Sequence, residues 1–181
     1  MWAWPHHIAT LRLHEQNRSW QRRRRLTNAR ATTIERMTIQ QMHHVGIVVD
    51  DLAGAVAFFA TLGLELEAEA TVEGRPVDRV VGLEGVRSDI AMMRTPDGHG
   101  RLELSKFHTP PGPGGDQRAP ANALGIRHVT FAVEDIDDVL DRLLGHGAEL
   151  VGELEQYENS YRLCYVRGPA GIIIELAERI G

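Results

Sequence analysis

The chain has 181 residues, a net charge of −5 and 25% charged residues, which suits one globular domain or two small ones sharing a core. No run approaches the ~18 consecutive apolar residues that span a bilayer, and the single cysteine, Cys164, excludes an internal disulfide and a thiolate cluster for zinc within one chain. A reducing cytoplasm is the expected compartment.

The charge is unevenly spread. Residues 1–36 hold eight arginines against Glu15 and Glu35, a balance of +6, so the remainder carries −11. Trp2, Trp4 and Trp20 also fall in this segment. The run Arg22-Arg-Arg-Arg25 has no interleaved aromatic residues and no nucleic-acid-binding pattern around it. Its Arg-rich, acid-poor composition also fits a transit peptide. Residues 1–40 are read as a basic, disordered leader, with Met37 as an alternative start, and residues 41–178 as the organised domain. That domain is acidic, so neither nucleic acid nor membrane is an expected partner.

From residue 41 the chain carries its own half twice. His44-Val-Gly-Ile-Val-Val-Asp-Asp-Leu aligns with His128-Val-Thr-Phe-Ala-Val-Glu-Asp-Ile, and Gly63 and Gly147 each follow 19 positions later. Glu65 and Leu66 match Glu149 and Leu150 without a gap. The halves also end alike: Arg94-Thr-Pro-Asp-Gly98 parallels Arg167-Gly-Pro-Ala-Gly171, and each precedes a short strand bearing one glutamate, Glu103 or Glu175.

The pattern predicts strands at 43–49 and 127–133. Helices are expected over 52–62 and 136–146, opened by Asp50-Asp51 and Glu134-Asp135 and closed by the two glycines. Further strands are expected near 64–71, 88–94 and 101–107, then near 149–153, 160–167 and 171–177. Each half is therefore a β-α-β-β-β unit, giving an α+β fold with modules 41–108 and 126–178. Residues 109–125 form a Pro/Gly-rich, flexible linker, long enough for the modules to pair within one chain or to exchange between chains.

Alternation along the strands separates His44 from its neighbour His43. His44 shares a face with Gly46 and Val48, and His128 with Thr130 and Ala132. Val45, Ile47, Val49 and Val129, Phe131, Val133 take the other faces and are expected to pack on helices. The small neighbours suggest that the histidines line a space. Glu103 and Glu175 interrupt apolar strands, and an unpaired carboxylate there is costly unless it is paired, protonated or metal-bound. A His/Glu pair occurring twice in register points to a divalent ion, because imidazole and carboxylate suit zinc, nickel, cobalt, manganese and iron(II). Tyr157, Tyr161 and Arg162 lie in a polar, aromatic stretch that is a candidate substrate contact. His43, His99, His108 and His146 are expected to be turn or surface residues.

At these residues the sequence resembles the vicinal oxygen chelate superfamily, which includes glyoxalase I, methylmalonyl-CoA epimerase, extradiol dioxygenases and fosfomycin and bleomycin resistance proteins. The resemblance covers about residues 42–178. It implies two modules whose curved mixed sheets enclose a metal-containing cavity, with His44, Glu103, His128 and Glu175 at the four ligand positions. It also implies a homodimer. The His/Glu/His/Glu set is that of glyoxalase I, with the epimerase a near variant. Where glyoxalase I places an arginine and an asparagine for glutathione, this chain has Val48 and Phe107, so glutathione is not expected as co-substrate.

The implied activity is a metal-dependent lyase or isomerase. It would act on a small oxygenated metabolite through a metal-stabilised enolate, with Glu103 or Glu175 moving the proton. Phe107, Thr130, Tyr161 and Arg162 are the expected substrate contacts. Two other readings share this sequence: an iron(II) ring-cleaving or related dioxygenase, and a non-catalytic protein that binds a drug or metabolite.

Overall fold

The computed structural model describes Ile39 and residues 41–181; apart from Ile39, the expected leader lies outside the described residues. The first module contains β1 (Val45–Val48), α1 (Leu52–Leu62), β2 (Glu65–Glu73), α2 (Arg75–Val81), β3 (Arg87–Arg94) and β4 (Arg101–Thr109). The second contains β5 (His128–Val133), α3 (Ile136–Gly145), β6 (Glu149–Leu150), β7 (Glu155–Tyr157), β8 (Tyr161–Arg167) and β9 (Ile173–Arg179), with a single 3-10 turn at Pro169–Gly171.

The two main helices start and stop for reasons visible in their sequences. Asp51 and Asp135 are extended N-caps whose carboxylates accept from the backbone N–H of Gly54 and Asp138, satisfying amides that have no partner within the helix. Gly63 closes α1 at φ +113°, a conformation that disfavours residues with a Cβ. In α3 the buried residues Ile136, Val139, Leu140 and Leu143 form one helical stripe. In α1 the corresponding contacts come from Ala55, Phe58, Phe59 and Leu62.

Each module forms its own sheet. The first has strand order β1-β4-β3-β2, and the second has order β5-β9-β8-β6, with β7 also paired to β8. The pairings β1 with β4 and β5 with β9 are parallel, and the others are antiparallel. Parallel neighbours require a crossover. The helix and the intervening strands supply it, so the first and last strands of each repeat lie side by side.

The structure departs from the simple repeat in three places. Twenty-eight positions separate Leu66 from Arg94 but only 17 separate Leu150 from Arg167, and α2 occupies the extra length in the first module. The strand expected at 149–153 stops at Leu150 because the chain bends at Val151 and Gly152, and it resumes as β7. The last strand begins at Ile173 rather than at 171, because the 3-10 turn takes residues 169–171. The linker is also less free than its composition suggests. The guanidinium of Arg167 donates to the carbonyls of Gln117 and Ala119, and that of Arg127 donates to Ala119.

One hydrophobic core joins the modules. Phe58, Phe59, Met93 and Leu104 from the first belong to the same buried cluster as Ile136, Leu143, Val166 and Leu176 from the second. Gly168 accommodates this junction: a Cβ there would lie 2.7 Å from Phe58 Cζ. Arg142 of α3 also donates to the Thr61 carbonyl at the end of α1, at 2.7 Å, where a cation suits the helix dipole.

Two outcomes follow from this packing. Phe59 is completely buried, and Phe59→Ala should cost about 3–5 kcal/mol, read from the midpoint and slope of urea unfolding. Burial also pushes the Cys164 thiol up to about 11. The native protein at pH 8 should therefore resist iodoacetamide and the urea-unfolded chain should react, as measured by intact mass.

Candidate functional site

The alternation in burial along β1 and β5 follows the sequence pattern. Val45 and Ile47 are half-buried and Val49 is buried, while His44, Gly46 and Val48 are exposed. In β5, Val129, Phe131 and Val133 are half-buried and His128, Thr130 and Ala132 are exposed. The parallel registers set Gly46 beside Glu103 and Thr130 beside Glu175. Each histidine therefore meets a glutamate of the adjacent strand on the face turned away from the helices. His44 Nε2 lies 3.7 Å from Glu103 Oε2, and His128 Nε2 lies 3.5 Å from Glu175 Oε2.

Neighbouring groups orient these four side chains. His43 Nδ1 hydrogen-bonds His44 Nδ1 at 2.8 Å, with one ring as donor and the other as acceptor, and leaves His44 Nε2 directed at Glu103. The Thr130 hydroxyl donates to Glu175 Oε2 at 2.5 Å, and the Ser105 hydroxyl donates to Glu103 Oε1 at 3.2 Å. Tyr165 stands opposite Glu175 in the β8–β9 register, and its ring lies 5.0 Å from the His128 ring at 33°. Burial and the nearby Glu175 charge both raise the Tyr165 hydroxyl above the usual tyrosine range.

His43 and Tyr165 were not among the site residues expected from sequence. For Tyr165 the signal was the alternation itself: Tyr161, Leu163 and Tyr165 share one face of β8, and the β8–β9 register places that face beside Glu175. The same alternation puts Arg162 on the opposite face, with buried Cys164 and Val166. Its guanidinium is held there by Asp137 at 2.7 Å and Glu178 at 3.1 Å. Arg162 therefore ties α3 to the sheet and does not face the His128/Glu175 pair. Tyr161 shares the Glu175 side but lies at the far end of β8, opposite Arg179. Phe107 is half-buried on the same side of β4 as Glu103 and Ser105.

The edge strands β1 and β5 border one cleft of about 220 Å³, lined by residues 45–48 of β1 together with Arg127, His128, Val129 and Gly171; of the four paired residues only His128 lines it. Among the described residues, no three His, Cys, Asp or Glu side chains converge closely enough to form a metal cluster by themselves. The chemistry of the pairs nevertheless fits a divalent ion. Imidazole nitrogen and carboxylate oxygen at these separations are too far apart for a strong hydrogen bond. They are close to the ~3–3.5 Å between adjacent ligands that each sit about 2.0–2.2 Å from a metal. Among the described residues neither glutamate forms a salt bridge with lysine or arginine; the partner of each is its histidine. His44, Glu103, His128 and Glu175 are thus the residues able to hold such an ion.

Known proteins share this architecture. Residues 41–176 match the model of the Glyoxalase/Bleomycin resistance protein/Dioxygenase superfamily. A crystal structure of a glyoxalase family protein from Bacillus cereus is 54% identical, with 82% of this chain and 99% of that chain covered and a TM-score of 0.79. The uncharacterised protein YaeR of Escherichia coli is 28% identical over 142 residues, 78% of this chain and 98% of its own length. A mutant of the fosfomycin resistance protein FosX from Listeria monocytogenes, complexed with Mn(II) and 1S,2S-dihydroxypropylphosphonic acid, shares the fold at 15% identity. Its TM-score is 0.51, and the match covers 77% of this chain and 90% of that one. No helix among the described residues is long and apolar enough to cross a membrane. With the family model spanning both repeated modules and the fold repeated in these structures, the chain belongs to the glyoxalase/bleomycin resistance protein/dioxygenase superfamily.

Proposed function

We propose that the protein is a divalent-metal-dependent lyase or isomerase acting on a small oxygenated metabolite, without glutathione. The observation that carries this reading is the His/Glu pair that occurs once in each module, at 3.7 and 3.5 Å, on the sheet face turned away from the helices. A bound divalent ion would supply Lewis acidity, polarising substrate oxygen and easing removal of a proton from the neighbouring carbon.

The chain's own residues perform the remaining tasks. Glu103 or Glu175 takes the proton from carbon and returns it, acting first as general base and then as general acid. His43 fixes the direction of the His44 ring, and Tyr165 does the same for His128 by stacking. Phe107, Thr130 and Tyr165 form the candidate walls around a ligand. Guanidinium groups around the cleft and the pairs are engaged: Arg127, which lines the cleft, with the Ala119 carbonyl, Arg101 with Glu67, and Arg167 with backbone carbonyls. This arrangement suits an apolar or neutral ligand better than a strongly anionic one such as glutathione, and Val48 and Phe107 stand at positions without charge. The reading places the protein in the cytoplasm as a homodimer.

The full-length, tag-free protein should carry about one equivalent of a divalent metal per chain by elemental analysis, and a folded His44→Ala/Glu175→Ala variant should lose it. No binding of nickel, cobalt, zinc, manganese or iron after reloading would overturn the proposal in favour of a metal-free binding protein. Iron as the active metal, together with oxygen uptake, would instead identify a dioxygenase. Glu103→Gln should keep the fold, judged by circular dichroism, and lower turnover by roughly 100-fold or more once a substrate is found.

A further inference from the structure

The two glutamates occupy equivalent places in the repeat but have different surroundings. Gly46 and Thr130 are corresponding residues, two positions after each histidine. Each is the direct neighbour of its module's glutamate across the parallel pair. Thr130 donates to Glu175 at 2.5 Å. Gly46 has no side chain to donate, and a Cβ built on it meets nothing within 4 Å. The side chain of Glu175 is 12% exposed and that of Glu103 is 29% exposed. The hydroxyl near Glu103 comes from Ser105, two residues along its own strand, at the longer distance of 3.2 Å.

We propose that this break in the repeat divides the work of the two carboxylates: Thr130 is a positioning residue that fixes Glu175 as a permanent metal ligand, whereas Gly46 leaves Glu103 room to move and carry a proton. The division rests on the metal-binding reading above. Its physical basis is preorganisation. A carboxylate held by a short hydrogen bond loses little freedom when it binds an ion, whereas one beside open space loses more but can leave and return. Moving a proton calls for the second property. Glu103 would accept the substrate proton on a carboxylate oxygen, turn within the space beside Gly46, and give the same proton back.

The test uses the full chain with cobalt(II) as probe, its affinity measured by competition with a chromophoric chelator and its ligand field read from visible absorption. Thr130→Val should weaken cobalt binding about 10–100-fold, as loss of an outer hydrogen bond to a ligand does, and shift the absorption bands. Thr130→Ser should restore both, which a purely packing role for the residue would not produce. Ser105→Ala should weaken binding clearly less than Thr130→Val does, because the hydrogen bond it removes from Glu103 is the longer one. Gly46→Thr should tighten binding by about tenfold by giving Glu103 the partner that Glu175 already has, with Gly46→Ser as the smaller version should threonine disturb the strand. Equal losses for Thr130→Val and Ser105→Ala, or no gain from both Gly46 variants, would overturn the division while leaving the metal site intact. Failure of the wild-type chain to bind cobalt would overturn the metal reading itself, and the division with it.

Discussion

The parallel pairing of the first and last strand of each repeat is the constraint on which the site depends. Residues at the beginning and end of a module are about 60 positions apart in the first repeat and nearly 50 in the second, beyond the reach of local structure. They meet because β1 lies beside β4 and β5 beside β9, in registers that join Gly46 to Glu103 and Thr130 to Glu175. A shift of one residue would turn the histidine or the glutamate to the helix side. The buried helix-facing residues prevent that shift. Leu102 and Leu104 flank Glu103, and Ile174 and Leu176 flank Glu175; all four are buried. The packing that stabilises the sheet thus also sets which way the polar side chains point.

The opposite face shows the other half of the same design. Along β1 and β5 its positions beside the histidines include the small residues Gly46, Thr130 and Ala132, all exposed. Orientation comes from polar and aromatic neighbours instead: His43 for His44, Tyr165 for His128, Thr130 for Glu175 and Ser105 for Glu103. The two modules have solved the same problem with different residues. The second repeat holds its pair more tightly, with a shorter hydrogen bond and a less exposed carboxylate. A repeat of two similar halves thus carries two inequivalent His/Glu pairs.

Charge is managed in a similarly divided way. Arg162 would have been a free cation had it turned toward Glu175, but strand alternation directs it to Asp137 and Glu178, where it fastens α3 to β8 and β9. The edge strand β2 carries Glu65, Glu67, Glu69 and Glu73 and is exposed at all positions but Val72. Such charge on a free edge opposes unwanted strand addition. Arginines opposite these glutamates, Arg94 and Arg101, are paired across the sheet. The acidic character of the domain is therefore located on its edge strand β2 as well as at the two carboxylates of the His/Glu pairs.

Much of this was determined by the sequence itself. The internal repeat, the starts of both helices at Asp51 and Asp135, and the separation of His44 from His43 are local matters of period, capping and alternation, which neighbouring residues decide. The helix α2, the break between β6 and β7, and the orientation of Arg162 were not legible in that way. The first occupies an insertion that the repeat does not share, the second depends on a bend at Gly152, and the third on acidic partners 25 and 16 positions away. The neighbours of Tyr165, Thr130 and Gly46 were decided only by tertiary structure, because each depends on which residue stands across a strand pair. Period names the face of a side chain; register, a long-range property fixed by core packing, names its neighbour.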